Sequence, residues 1–121
     1  MPQFSQQVNF SQIAYDGTAG SATADYSAVQ TNTELIAAPG ADTAIYLTDI
    51  IISAGAAGTV KIVRNTASAA DVISPLTLAA NGGAVINLQT PIKITDNQNV
   101  GITTTTTDDL SVTLSYFVKR H

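Results

Sequence analysis

The sequence of 121 residues contains no cysteine and no tryptophan, and only 12% of its residues are charged. The absence of cysteine excludes disulfide bridges and thiolate metal sites. Ordinary soluble domains carry about 25% charged residues, so this chain has few charges to keep copies apart. We expect much of its surface to be covered by other copies or by another protein. A thermostable or secreted monomer with a threonine-rich surface is the alternative.

Basic residues and long apolar runs are scarce as well. Five Lys and Arg residues against nine Asp and Glu residues give a formal net charge of -4, which disfavours nucleic-acid binding through long-range electrostatics. Every apolar stretch is far shorter than the roughly 20 residues that a transmembrane helix needs. The first ten residues, MPQFSQQVNF, lack the basic start and apolar segment of a signal peptide. We expect neither a membrane nor a nucleic-acid partner.

A helical period long enough to predict a helix is also missing. Instead, short segments rich in β-branched and aromatic residues recur along the chain from Asp25 onward. About eight or nine strands in one domain of this length predict an all-β fold, a two-sheet antiparallel β-sandwich, for which jelly-roll topology is the expected connection. A compact up-and-down or Greek-key barrel is the alternative.

Residues 43–53, TAIYLTDIIIS, are predicted to form the central strand. The two faces of this segment differ little in polarity, which is typical of a strand that is covered on both sides. A short Gly/Ala connector leads to residues 59–64, TVKIVR, which are predicted to pair with the first segment as a hairpin. Asp49 must face solvent or meet a cation such as Arg64 or Lys61, because an unpaired buried carboxylate is costly.

Other strands are predicted from alternation and turn residues. They lie at residues 26–30, 33–37, 72–78, 84–88, 92–94, 100–106 and 110–119. Pro75 places its strand at a sheet edge or a bulge. Asn81 and the two glycines after it predict a turn that folds residues 77–80 onto residues 84–88. Threonines 103–107 are predicted to form a solvent-facing ladder. The strand at 110–119 alternates best, with five inward residues: Leu110, Val112, Leu114, Tyr116 and Val118.

Residues 1–24 form the least regular segment. Its isolated apolar side chains are Phe4, Val8, Phe10, Ile13 and Tyr15. Their spacing suits an extended arm that places apolar anchors on a neighbouring subunit; the alternative is that residues 8–15 form a first edge strand. Residues 17–24, rich in small residues, are predicted to be a flexible connector. The predicted organisation is therefore an arm and connector at 1–24 and a β-sandwich domain at 25–121.

The sequence contains no recognisable pattern of catalytic, cofactor-binding or metal-binding residues. The single histidine, His121, is expected to fray at the chain end and not to serve in a Ser-His-Asp arrangement. Asp108 and Asp109 lack the spacing of an EF-hand and are better explained as turn residues. The glycine pairs lack the lysine and the helix of a phosphate-binding loop. We predict a protein that is not an enzyme and needs no cofactor.

Four sequence features carry a resemblance to a known class of proteins. They are the segment ELIAAP, the strand-and-loop unit IIISAGAAGTVKI, the turn LAANGG, and a final Thr/Val strand that ends in Tyr-Phe. Together they lie in residues 31–119, and they resemble small virion proteins of tailed bacteriophages, the head decoration or cement proteins. The arm has no motif that matches this class.

The resemblance implies a β-sandwich, often jelly-roll-like, on the outer capsid surface of the virion. It implies the major capsid protein and other copies of the chain, as a homotrimer at local threefold axes, as partners, and synthesis in the host bacterial cytoplasm. The apolar arm residues are then the candidate subunit contacts. A receptor-binding or glycan-binding module of a phage tail fibre or similar appendage is the alternative.

Overall fold

The structure is a computed structural model that describes residues 17–121. The described residues contain eight strands and a short 3-10 helix at Thr66–Ser68. The strands are β1 (Gly17–Tyr26), β2 (Thr33–Ile36), β3 (Thr43–Ala54), β4 (Gly58–Arg64), β5 (Ala70–Leu78), β6 (Gly82–Lys93), β7 (Val100–Thr104) and β8 (Leu110–Arg120). The predicted all-β fold is confirmed.

The strand pairing identifies the topology. β1 pairs with β8, β2 with β7, β3 with β6 and β4 with β5, all antiparallel. This pattern arises when the first four strands run antiparallel to the last four as a long ribbon, which is then wound into two layers. Pairing of β3 with β8 and of β4 with β7 completes sheet 1, in the order β1-β8-β3-β6, and sheet 2, in the order β2-β7-β4-β5. The result is an eight-stranded jelly roll, as expected.

Both predicted hairpins are wrong. β3 and β4 lie in different sheets, and so do β5 and β6. The turns themselves exist: Asn81 has a positive φ of 57°, and its N–H donates to the carbonyl of Gly55 at 3.4 Å, so the two connections lie side by side. A turn signal shows where a chain reverses, but in a jelly roll the chain often crosses to the opposite sheet at that point.

A β-bulge at Thr48 explains why the two faces of β3 look alike in the sequence. Leu47 lies opposite Tyr116 and Asp49 lies opposite Ser115, so that Thr48 is one extra residue on β3. An extra residue changes which face the following side chains occupy. The buried residues of β3 are therefore Ala44, Ile45 and Leu47 before the bulge and Ile50, Ile52 and Ala54 after it.

The core between the two sheets is almost entirely aliphatic. Its most completely buried side chains come from both sheets and from the segment after β6: Ile45, Leu47, Ile50, Ile52, Val60, Ile62, Ile94, Val100, Ile102, Leu110 and Leu114. Burial of each such side chain contributes about 1.5–3 kcal/mol. The prediction for β8 is confirmed, since Val112 is also buried and Tyr116 and Val118 pack against the cluster. The core makes the sandwich a rigid support for its outer faces.

Residues 17–24 form most of β1, so the prediction of a flexible connector there is wrong. β1 pairs with β8 along its whole length, from Gly17 opposite Lys119 to Tyr26 opposite Leu110. Small residues are required in part by packing, because a Cβ on Gly20 would lie 2.9 Å from the ring of Tyr116. The strand predicted at 26–30 does not form beyond Tyr26. The five candidate arm contacts lie outside the described residues: Phe4, Val8, Phe10, Ile13 and Tyr15.

The threonine run 103–107 forms the predicted solvent-facing ladder only in part: Thr105 and Thr107 are exposed, whereas the alternate residues are buried. Thr104 and Thr106 are only 1% and 2% exposed. The hydroxyl of Thr104 accepts a hydrogen bond from the Gln30 N–H at 3.1 Å, and the hydroxyl of Thr103 donates to the side-chain oxygen of Asn32 at 2.9 Å. These threonines therefore hold the connection between β1 and β2 against sheet 2.

Candidate interaction face

The outer face of sheet 1, which points away from the core, is the candidate functional surface. Its residues form four rows that cross β1, β8, β3 and β6 in that order. The rows are Ala19–Phe117–Tyr46–Lys93, Ser21–Ser115–Asp49–Asn87, Thr23–Thr113–Ile51–Val85 and Asp25–Ser111–Ser53–Gly83. The bulge at Thr48 is what brings both Tyr46 and Ile51 onto this face.

This outer face carries few charges, and they lie mostly at its ends. Asp25 lies in one end row and Lys93 in the other, and Asp49 is the charged residue of the two middle rows. Six of the other thirteen positions carry short hydroxyl side chains, and those of Thr23 and Thr113 have their oxygens 3.4 Å apart. Removing small neutral groups from water costs much less than removing charges. The face is therefore suited to contact with another protein surface.

Two large apolar side chains lie next to each other on this face. Ile51 and Val85 are opposite one another on β3 and β6, and they are 49% and 77% exposed. Single exposed apolar residues are common on protein surfaces, whereas adjacent ones indicate a contact site more strongly. Covering both would contribute on the order of 1–3 kcal/mol through the hydrophobic effect.

An aromatic pair lies in the row at one end of the face. The rings of Tyr46 and Phe117 are stacked, with centroids 4.8 Å apart and an interplanar angle of 5°. They line a depression of about 330 Å³ together with Thr90, Pro91 and Lys119. A stacked, half-buried aromatic pair beside a depression offers a flat surface to an apolar or planar ligand group.

His121 is held beside this pair, contrary to the expectation that it frays. Its backbone N–H donates to the carbonyl oxygen of Asp42 at 2.7 Å. Its Nε2 atom lies 3.5 Å from the Tyr46 hydroxyl and 3.4 Å from Oδ1 of Asp96. Lys93 also approaches Asp96, at 3.8 Å. The polar groups at this end of the face therefore satisfy one another.

Asp49 forms no ion pair with any residue of the described range 17–121, which decides between the two alternatives that its position left open. Lys61 forms an ion pair with Asp71 at 3.2 Å, and Arg64 Nη1 donates to the side-chain oxygen of Gln98 at 2.9 Å. Both cations belong to sheet 2. Asp49 lies on the partly exposed outer face of sheet 1, where water solvates its carboxylate.

Asp108 and Asp109 lie in the turn before β8, as predicted. The carbonyl oxygen of Asp109 accepts a hydrogen bond from the Gly55 N–H at 2.9 Å. Within residues 17–121, His, Asp and Glu side chains form no group of three that is placed to hold a metal ion. Tyr26 lies near this turn, and its burial raises the pKa of its phenol above 10 by desolvation.

Residues 17–121 include no helix that is long and apolar enough to cross a membrane. No protein-family model matches the sequence, and no curated protein matches it.

A comparison with solved structures gives a weak similarity. One matching chain comes from the cryo-EM structure of a virus-like particle of the extra small virus of the giant freshwater prawn Macrobrachium rosenbergii. The sequence identity is 9%, the TM-score is 0.25, and the alignment covers 87% of this chain and 80% of that one. A TM-score this low carries no argument about function, so the fold assignment rests on the strand order.

Proposed function

We propose that the protein is a structural virion protein that decorates the outside of a tailed-phage capsid and links neighbouring major capsid subunits. The observation that carries the proposal is the outer face of sheet 1, a charge-poor surface with the Ile51–Val85 pair exposed on it. The sequence resemblance in residues 31–119 supplies the class of partner. The proposed role is not enzymatic and uses no cofactor.

The physical basis of the proposal is repeated contact through a rigid module. A standard protein interface buries about 800 Å² on each partner. One such contact is modest, but a capsid repeats it at many sites, and a protein that bridges two subunits binds the second at a high effective concentration. A face of hydroxyl and aliphatic groups makes such contacts without burying unpaired charge.

The arm and the homotrimer complete the proposal. Phe4, Val8, Phe10, Ile13 and Tyr15 are proposed as additional anchors on a neighbouring subunit, supported by their spacing in the sequence. Deleting residues 2–15 should then remove capsid attachment while the sandwich stays folded. If the truncated protein still occupies capsids fully, the arm does not hold the protein in place.

The experiment that tests the function is co-sedimentation of the purified protein with capsids that lack it. We expect saturable binding to the capsid and a solution mass, by light scattering, that corresponds to one trimer or to two linked trimers. A chain that fails to sediment with capsids at any concentration would contradict the decoration role, whatever its mass.

A second candidate function, the binding of a glycan or receptor, is favoured by the Tyr46–Phe117 pair. The apolar C–H face of a sugar packs well on an aromatic ring, and the depression beside this pair provides room for one. A glycan screen with the wild-type chain and with Tyr46→Ala distinguishes the two functions. Sugar binding that is lost in Tyr46→Ala supports the module; capsid binding by a wild-type chain that binds no sugar supports decoration.

A further inference from the structure

The two sheets differ in how their edges are protected. A free strand edge offers unpaired backbone groups to another strand, and proteins block it with proline, lysine, bulges or short length. In the described chain, edge strand β5 contains Pro75, as predicted, and its pairing with β4 is shifted twice. Edge strand β6 contains Pro91 and Lys93 and has a shifted register with β3. Edge strand β2 has only four residues.

The fourth edge strand, β1, has none of these protective features. Its ten residues, GTAGSATADY, contain neither proline nor lysine. It pairs with β8 without any register shift from Gly17 to Tyr26. Between Gly17 and Asp25 its side chains are all small, so that they do not obstruct an approaching strand. β1 is therefore the edge at which strand addition is least hindered.

We propose that β1 pairs edge to edge with β1 of a second copy of the chain, antiparallel and in a register centred on Ser21. The two copies of sheet 1 then form one continuous eight-stranded sheet. A twofold axis at Ser21 places Gly17 opposite Asp25 of the second copy and Ala19 opposite Thr23. A contact of this kind is self-complementary, as expected for a symmetric dimer.

Charge complementarity supports both a second copy of the chain as the partner and the register of the two β1 strands. Asp25 is exposed, and neither it nor Lys119 has an ion-pair partner among residues 17–121. Lys119 lies opposite Gly17 on β8. In the proposed register Asp25 of the second copy, Gly17 and Lys119 lie in one row. Adjacent strands are about 4.8 Å apart, so the two charged residues are about 10 Å apart at Cα, with only a glycine between them.

That separation suits an ion pair, because an extended lysine and an aspartate span it and glycine has no side chain to block them. Because the dimer has a twofold axis, the ion pair between Asp25 and Lys119 forms twice. The remaining contacts across the axis join small neutral residues, with Ser21 opposite itself. This inference does not depend on the proposed function, since it uses the strand edge and leaves the outer face free. A twofold contact of this kind is also compatible with trimers, which it would link.

Crosslinking tests the register, because the chain has no cysteine of its own. Ser21→Cys places two thiols opposite each other at the axis. Thr23→Cys is the matched control on the same strand and face, where the two thiols are separated by about 14 Å along the strands. With a short bifunctional thiol reagent we expect dimer from Ser21→Cys at several times the yield from Thr23→Cys. Equal yields, or no dimer from either variant, overturn the proposal.

A charge exchange tests the ion pair. Asp25→Lys brings like charges together, and we expect it to weaken self-association in light scattering by about threefold to tenfold. Asp25→Lys combined with Lys119→Asp restores the complementary charges and should restore association. If the double variant associates no better than Asp25→Lys, or if the wild-type chain is monomeric at every concentration, the proposal is wrong. Capsid co-sedimentation of the same variants separates this outcome from a failure of the decoration role.

Discussion

Thr48 donates its hydroxyl hydrogen to the carbonyl oxygen of Ser115 at 3.0 Å, at the point where β3 carries one residue more than β8. The bulge divides β3 into two halves with opposite alternation. It is the reason that Leu47 and Ile50 both face the core, whereas Tyr46 and Ile51 both face outward. The candidate interaction face therefore depends on this single extra residue.

Loss of the Thr48 hydroxyl should weaken the fold. Thr48→Val keeps the shape of the side chain but removes the donor to Ser115, and we expect a loss of about 1 kcal/mol in the free energy of unfolding. Thr77→Val is the matched control on the exposed edge strand β5, with an expected change within about 0.5 kcal/mol. Urea unfolding measures both. Equal effects would mean that the Thr48 bond contributes nothing specific.

The two neighbours Ile50 and Ile51 should respond very differently to truncation. Ile50 is fully buried and Ile51 is 49% exposed. We expect Ile50→Ala to cost about 2–5 kcal/mol because it leaves a cavity in the core. Ile51→Ala should cost less than about 1 kcal/mol, since the site is open to water. The reverse order in denaturant unfolding would show that the bulge is misplaced.

Gly101 should tolerate no side chain. A Cβ at this position would approach the carbonyl oxygen of Thr33 to 2.7 Å and would also collide with the methyl group of Thr66. Gly101→Ala should therefore destabilise the protein by about 1–3 kcal/mol through overpacking. Gly55→Ala is the control, because its nearest neighbour is the end of the Asp108 side chain at 3.3 Å, which is free to move. Thermal unfolding that ranks Gly55→Ala as the worse variant would contradict this packing.

Tyr26 should make the stability depend on alkaline pH. Burial raises the pKa of its phenol in the folded state above 10, whereas the unfolded chain ionises near 10. Below about pH 10 the Tyr26 phenol is protonated in both states, and its contribution to the free energy of unfolding is fully present. That contribution is lost as the pH rises through the folded-state pKa. We expect wild type to lose more stability than Tyr26→Phe as the pH rises above about 10. Parallel losses in the two proteins would contradict the assignment to Tyr26.

The sequence predicts some of these features well and others not at all. Strand β8 is predictable because Leu110, Val112 and Leu114 alternate strictly with hydroxyl residues, so that the pattern itself defines the buried face. β1 is not, because its small residues look like a linker and acquire their role only through pairing with β8. Gly20 is an example, since the ring of Tyr116 that requires it is far away in the sequence.

The outer face of sheet 1 could not be predicted from the sequence either. Ile51 and Val85 are adjacent only because of the register of β3 with β6. In addition, the bulge at Thr48 reverses the alternation of inward-facing and outward-facing residues along β3. The hairpin predictions failed for a related reason: a turn such as that at Asn81 fixes a change of direction, whereas the sheet that receives the next strand is decided by the packing of the whole chain.

Occupancy of protein-free capsids by a matched pair of variants shows whether the outer face of sheet 1 binds the capsid. Val85→Lys adds a charge to the outer face of sheet 1 at a residue that is 77% exposed, whereas Val29→Lys makes the same change at a residue that is 50% exposed in the connection between β1 and β2. Both variants should fold as wild type does. We expect Val85→Lys to lower the affinity for capsids about tenfold or more and Val29→Lys to bind normally. Full occupancy by Val85→Lys at wild-type affinity would show that the outer face is not the surface of attachment.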